Sequence, residues 1–390
     1  MIVVVGIGAD GIGGLSPGPR AELARASVIY GSRRQLGLLD DTVTAQRRQW
    51  PSPMLPALDA LPDGVHVLAS GDPMLYGLGG TLTRLLGPQR VRVLPHISSV
   101  ALACARLGWN LHDTAVISLL TAAPHTAVRR GGRAVVLSRD AASPAAVASL
   151  LTDAGRGDSR FTVFEQLGGP AERRRPAVSA IAAEWAADPP GDVDDLNLIA
   201  VEYLPDERTS HPSDDAFCHD GQITKRTIRA LTLAALAPRP GELLWDVGAG
   251  SGSIAVEWSI SQPGCAAVAF ERDERRRDRI TRNAVAFGVN VQVRGPAPDD
   301  FTGSPPAAAL FVGGGLTQAG MIDACVDHLP AGGRLVANAV TAESEALLTH
   351  WYGRLGGDLR RFSHYHGEPL GAFTGWRPAM PVTQWAVTKR

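Results

Sequence analysis

The sequence predicts an α/β protein of two domains, the second of them doubly wound. Three observations lead there. At 390 residues the chain is long for one domain. Short β-branched runs alternate with alanine- and leucine-rich stretches along its length. Two glycine-rich turns, Gly6-Ile7-Gly8-Ala9-Asp10-Gly11 and Gly248-Ala249-Gly250-Ser251-Gly252, each follow a short apolar run of the kind that forms a buried strand.

In the first half the pattern predicts strands at Ile2 to Val5, Ser27 to Tyr30, Val65 to Ser70, Val91 to Pro95, Arg133 to Ser138, Phe161 to Leu167 and Leu196 to Leu204. Helices are expected over Pro19 to Ala26, Ser98 to Leu107 and Pro144 to Leu151, the last with Ser143 as its N-cap. Substantially parallel pairing is expected of such an alternation. Between Leu204 and Asp215 the chain turns polar and gains two prolines, which places the domain boundary near residue 205 and the domains at 1–204 and 205–390.

Beyond that linker a helix is expected over Thr224 to Leu236, then strands at Leu243 to Val247, Ala266 to Glu271, Val289 to Arg294, Ala307 to Gly313 and Gly333 to Val340. Regular alternation of strand and helix is the signature of a doubly wound sheet. The mixed-sign run Glu271 to Arg279 is expected to coat a solvated helix.

Composition narrows the partners. With 45% hydrophobic and 20% charged residues the chain is expected to fold. A net charge of −1 and a pI near 6.8 give no basic field for nucleic acid or an anionic membrane, and neither is expected as a partner. Cys104, Cys218, Cys265 and Cys325 form no CxxC pair, so no disulfide framework, zinc knuckle or other metal site is expected. The first strand follows Met1 with no basic leader, which points to a soluble, cytoplasmic protein.

The second glycine loop carries the sharper signal. Asp246 leads into it, its glycines are spaced GxGxG, and Glu271 closes the next strand about 20 residues on, where an acid can accept hydrogen bonds from both ribose hydroxyls of an adenosine. An acid-led GxGxG is the form typical of class I S-adenosylmethionine (SAM) methyltransferases, whereas dinucleotide folds favour GxGxxG. NAD(P) is the rival ligand. After the fourth strand stands Phe311-Val312-Gly313-Gly314-Gly315 and no N/D-P-P-Y/F motif, which argues against methylation of a nucleic-acid base.

The first loop matches GxGxxG, but no helix starts at it and the second strand ends in Arg33-Arg34 without an acid. Those arginines would suit a 2′-phosphate, so NADP is the rival here too. More informative is Ser70-Gly71-Asp72-Pro73-Met74-Leu75-Tyr76-Gly77, which alone is also an ordinary turn. It is followed by Pro95-His96-Ile97-Ser98-Ser99-Val100, by Arg106 to Gly108, and by Phe164 to Gly168. With the opening GIGADG, this series resembles the tetrapyrrole (corrin/porphyrin) methylases, a two-lobed class III SAM fold.

The second half, with Ile223-Thr224-Lys225 and Arg229 ahead of WDVGAGSGSIAVEW, Phe270 to Arg272, Gly295 to Pro298 and FVGGG, resembles the precorrin C15-methyltransferase/decarboxylases. The first half is similar to the precorrin C5-methyltransferases. Joined in this order, the two resemble the bifunctional precorrin C5,15-methyltransferases of cobalamin biosynthesis.

That resemblance implies SAM at two sites and conversion of precorrin-6B to precorrin-8X by two methylations and one decarboxylation. It implies cofactor contacts at Thr224, Gly248, Ala249, Gly250, Ser251, Gly252, Glu271 and Ala297 in the second domain. In the first they fall on Gly8, Asp72, Tyr76, Gly77, Ser98 and Ser99. Lys225 and Arg229 are candidates for substrate carboxylates or else belong to an ordinary surface helix, and His219 is a proton carrier or a structural histidine. A homo-oligomer, dimer or tetramer, is expected.

Where the C5 family carries a Ser-Leu-His-Gly-Arg-like run, this chain has Ser118-Leu119-Leu120-Thr121-Ala122. Two further alternatives stay open: the same chemistry on a cobalt-bearing precorrin, and a first domain that only binds the corrinoid.

Overall fold

The computed structural model of the chain describes residues 1–390 apart from 53, 55–57, 130 and 206–210 and the side chains of 176–179. It divides into two units, Met1–Pro205 and Asp206–Arg390.

In the first unit the apolar run at β1 (Ile2–Ile7) is buried at all six positions, as a strand covered on both faces must be. It is an interior strand of a five-stranded parallel sheet with β2 (Val28–Gly31), β3 (Gln46–Gln49), β4 (His66–Ser70) and β5 (Val91–Leu94), in the order β3-β2-β4-β1-β5. β1 leads toward β2 beyond β4, while β4 leads to β5 beyond β1. The connections therefore part between β1 and β4, and that switch point opens a crevice at their carboxyl ends. Helix Ser99–Leu107 follows β5, capped by Ser98, whose Oγ accepts from the Ala101 N–H at 3.1 Å.

The second lobe of this unit is a sheet in the order β6-β7-β10-β8-β9, from β6 (Thr114–Ser118), β7 (Arg133–Leu137), β8 (Arg160–Glu165), β9 (Arg173–Ile181) and β10 (Asn197–Glu202). Here the expectation of parallel pairing fails: only β6 and β7 run parallel. β8 and β9 are joined by too short a connection for a crossover, so they pair antiparallel. Ser143 is also corrected. Its Oγ accepts from the Arg139 and Asp140 N–H groups, tightening the turn before helix Ser143–Asp153, and Ala142 is the N-cap.

The second unit holds a seven-stranded sheet of β11 (Leu243–Val247), β12 (Ala266–Phe270), β13 (Val291–Arg294), β14 (Ala309–Val312), β15 (Arg334–Ala339), β16 (Asp358–Phe362) and β19 (Val382–Thr388). Its order is β13-β12-β11-β14-β15-β19-β16; β19 runs antiparallel to both its neighbours and the remaining pairs are parallel. β17 (Tyr365–Leu370) and β18 (Phe373–Pro378) form a separate exposed hairpin. In helix Glu274–Phe287 Arg275 and Arg282 are exposed, Arg276 and Arg279 are half-buried and paired with Asp220, and Ile280, Asn283, Ala284 and Phe287 are buried. No helix among the described residues is long and apolar enough to cross a membrane.

Trp385 of β19 closes the core of this unit. Fully buried, it lies 6.4 Å from the Trp351 ring, and its indole N–H donates to the Gly356 carbonyl at 2.9 Å. Trp385→Ala should therefore cost about 3–5 kcal/mol, measurable by denaturant unfolding of the full chain.

Candidate cofactor sites

In the second unit the glycine loop leaves β11 between β12 and β14, the point where connections part to either side. Gly248, Gly250 and Gly252 all have positive φ (67°, 60° and 71°). A Cβ on Gly248 would stand 2.6 Å from the Gly314 carbonyl oxygen, so the turn after β14 packs directly on this loop. Glu271, buried at the end of β12, accepts from the Gly250 N–H through Oε2 (2.8 Å) and from the Asp273 N–H through Oε1 (3.0 Å). The acid at the strand end and the glycine loop thus form one backbone-lined cradle.

Asp246 lies beneath that cradle. Its Oδ2 accepts from the Ala255 N–H at 3.0 Å, and its buried Oδ1 has no partner among the described residues. Burial first, then the nearby Glu271 charge, push its pKa up to about 7 despite the Ala255 bond. Ser251 is buried and its carbonyl accepts from Asn283 Nδ2 (2.8 Å). Asn283 also exchanges two hydrogen bonds with the Cys218 backbone, tying the segment before the helix to the loop. Sequence reasoning missed Asn283; its signal is an amide on the apolar stripe of an arginine-rich helix.

The other expected residues are placed unequally. Ala249 is half-buried in the loop, and Ala297 is buried in one core cluster with Val247 and Phe270. Thr224 is half-buried, ahead of a helix that starts at Arg226 and not at Thr224. Lys225 is exposed, with Nζ 3.5 Å from Asp214. His219 is half-buried, its Nδ1 accepting from the Gly221 N–H at 3.0 Å.

Arg229 is corrected outright. It is fully buried and cannot meet a substrate carboxylate, because its nitrogens donate to Glu257, Asp214 and the carbonyls of Thr224 and Pro212. Its guanidinium also sits 4.8 Å from the Phe217 ring. Two acids remote in sequence convert an apparent surface arginine into a core clamp. His364 and His366 meet each other ring to ring at 4.9 Å, and no group of three metal-ligating side chains occurs among the described residues.

In the first unit the walls of both lobes enclose a cavity of ≈ 410 Å³. Gly8, Asp72, Tyr76, Gly77, Ser98 and Ser99 all line it. A Cβ on Gly6 would lie 2.3 Å from the Gly71 oxygen, so the end of β1 touches the turn after β4 through bare backbone, and one on Gly8 would lie 2.8 Å from the His96 side chain that follows β5. Asp72 Oδ1 accepts from the Met74 N–H (2.9 Å), and Tyr76, at φ 52°, donates its O–H to the Val116 carbonyl of β6 (3.2 Å).

Ser138 and Asn197 line the same cavity from the second lobe, and sequence reasoning missed both. Asn197 Nδ2 donates to the carbonyls of Asp140 and Asp194, which fixes the amide and leaves Oδ1 a buried, unpartnered acceptor. Ser138 Oγ is likewise buried without a partner among the described residues. Size and unsatisfied polar atoms suit a nucleoside-sized, partly polar ligand such as SAM.

Residues 1–181 match the family described as Tetrapyrrole (Corrin/Porphyrin) Methylases, and residues 215–389 match the Precorrin methyltransferase domain. Over 393 residues the chain is 68% identical to the precorrin-6Y C(5,15)-methyltransferase (decarboxylating) of Mycobacterium tuberculosis, strain CDC 1551 / Oshkosh, covering 100% of each. The chain belongs to the precorrin-6Y C(5,15)-methyltransferases (decarboxylating).

A Sinorhizobium member of the family is 44% identical over 405 residues, covering 100% of this chain and 96% of its own. The cobalt-precorrin-6B C(15)-methyltransferase (decarboxylating) of Salmonella typhimurium, strain LT2, is 33% identical over 166 residues, 41% of this chain and 85% of the relative. As a precorrin-6Y methyltransferase, the chain is a SAM-dependent enzyme that joins a tetrapyrrole-methylase fold to a Rossmann-like one.

Removing one partner of the buried Arg229 cluster strands two acids, so Arg229→Ala should destabilise the second unit by about 3–5 kcal/mol. Chemical denaturation followed by circular dichroism measures it. Because Asp246 is raised from 3.8 to about 7, the native state holds a proton that the unfolded chain releases between those values. Its contribution to stability is therefore greatest below pH 4 and falls as the pH climbs to 7. Asp246→Asn should flatten that slope by a few kcal/mol, on the order expected for about three pK units; unfolding series at pH 4 to 8 check it.

Proposed function

We propose that the chain converts precorrin-6B to precorrin-8X, with Met1–Pro205 methylating C5 and Asp206–Arg390 methylating C15 and decarboxylating the ring C acetate. Each unit uses its own SAM. The observation that supports this is that each unit carries a candidate cradle on its own strands: the cavity of the first and the Gly248 to Gly252 loop with Glu271 of the second. The Salmonella relative supports the division, since its name gives C15 methylation with decarboxylation to a protein matched by 41% of this chain.

When bound, SAM supplies a methyl group on an electrophilic sulfonium. The chain's own work is to align and to exclude water. Gly248, Ala249, Gly250, Ser251 and Gly252 offer backbone to the second cofactor, Glu271 its ribose acceptors, and Thr224 and Ala297 the flanks. Gly8, Asp72, Tyr76, Gly77, Ser98 and Ser99 play that part in the first unit, with Ser138 and Asn197 adding side-chain bonds. Lys225, exposed at the head of its helix, is the candidate for a substrate carboxylate, and the half-buried His219 is the candidate proton carrier. The meso carbons of the reduced macrocycle are electron-rich, and the macrocycle absorbs the electron pair left by carbon dioxide.

A second reading has support of its own. Leu120 stands in the run where the C5 family carries histidine and arginine, and it lines the first cavity. That favours a first unit that binds the corrinoid without methylating it. A homo-oligomer in a reducing cytoplasm completes the proposal; four free cysteines agree with that compartment.

Mass spectrometry of the full chain with precorrin-6B and SAM separates these readings. Two methyl additions and one loss of carbon dioxide are expected. Gly248→Val, which drives a branched side chain into Gly314, should abolish one addition together with the decarboxylation. A single methyl from the unaltered chain would establish the binding-module reading, and turnover only of the cobalt-bearing precorrin would shift the substrate.

A further inference from the structure

We propose that Arg34 anchors a peripheral carboxylate of the macrocycle in the cavity of the first unit. The inference rests on that unit being the C5-methylating one. Among the described residues lining the cavity Arg34 is the one cation and Asp72 the one anion, and Asp72 is engaged with its own loop through the Met74 N–H.

Arg34 is half-buried, yet no described carboxylate lies within 4 Å of it. Its NH2 donates to Ser70 Oγ at 2.6 Å. Among other arginines of this unit, Arg106 pairs with Glu172 (2.7 Å), Arg133 with Glu202 (2.9 Å) and Arg175 with Asp192 (2.7 Å), while Arg20, Arg139 and Arg156, none of which lines the cavity, donate to backbone carbonyls. Asp194, in the second lobe, is the acid whose field reaches Arg34, but its Oδ1 already accepts from Gln166 Nε2 and the Leu196 N–H. Desolvation in the cavity pulls the Arg34 pKa down, the direction expected of a cation without its counter-charge.

The guanidinium is also held in place. Ser32 and Gln35 form a capping box around the start of the turn that carries Arg34, and Gln35 Nε2 donates to the same Ser70 Oγ at 3.1 Å. A fixed planar fork is suited to bidentate carboxylate recognition. At the same cavity Tyr76, Ile97 and Leu120 are each more than half exposed, giving apolar surface for the face of a flat macrocycle.

Two ligands could bring the carboxylate, the macrocycle and the amino-acid tail of SAM. The tail carries an ammonium and a sulfonium, and a desolvated guanidinium beside them would gather like charges. The macrocycle carries several carboxylates and no competing cation, so the charge balance favours it.

The test uses the full chain with Arg34→Gln and Arg34→Lys. C5 and C15 methylation are followed separately by mass spectrometry, and S-adenosylhomocysteine affinity by calorimetry. Arg34→Gln should raise the KM for precorrin-6B in C5 methylation about 10- to 100-fold, the loss expected of a charge-assisted pair. C15 methylation and S-adenosylhomocysteine affinity should be unchanged, and Arg34→Lys should recover part of the loss. An unchanged KM in Arg34→Gln would overturn the proposal. A fall in S-adenosylhomocysteine affinity at constant macrocycle KM would reassign the carboxylate to the cofactor and overturn it equally. If the unaltered chain never methylates C5, the functional reading fails, and the role of Arg34 with it.

Discussion

Both candidate sites depend on one constraint: two neighbouring parallel strands end in loops that touch through backbone with no room for a Cβ. In the first unit the contact is Gly6 against the Gly71 carbonyl, and in the second it is Gly248 against Gly314. Each pair joins strands that are hydrogen-bonded neighbours, β1 with β4 and β11 with β14. At such switch points the connections diverge and open a crevice, and a side chain on either glycine would close it. Two unrelated sheets thus meet the same demand with the same residue, which accounts for a chain with two glycine loops.

How the cradles are completed differs between the units. The second relies on an acid at a strand end: Glu271 spends both carboxylate oxygens on backbone N–H groups, one of them in the glycine loop. Beneath it, Asp246 is held in an environment that favours its neutral form, so two adjacent acids do not both carry full charge into the sheet end. The first unit has no acid at the end of β2. It encloses its site between two lobes instead, and Tyr76 reaches from one to the other. Walls on both sides shape that cavity, whereas the Rossmann-like edge presents an acid and glycine backbone.

These differences set what the sequence could reveal. Strands buried on both faces, such as Ile2–Ile7 and Leu243–Val247, were legible because continuous apolar runs have few other uses. The polar edge strand Gln46–Gln49 was not, since all four of its side chains are exposed and nothing in them demands a strand. The second glycine loop declared its site because only glycine serves at positive φ in such close contact, as at Gly248. Arg229 misled for the opposite reason. Its fate is decided by Asp214 and Glu257, which are brought to it by the fold and are invisible to local periodicity.

The same logic bears on the missing histidine and arginine after Ser118. Motifs record side chains, but the cavity in this unit is also lined by the glycines Gly8, Gly71 and Gly77, and Ser138 and Asn197 bring unsatisfied polar atoms to it. Leu120, in the run where the family's histidine and arginine stand, adds apolar surface at the cavity. A wall that draws its polar atoms from several elements does not depend on one motif side chain alone. Arg34 is the one cation among the described residues of that wall, so any charge recognition proposed for the cavity falls to it.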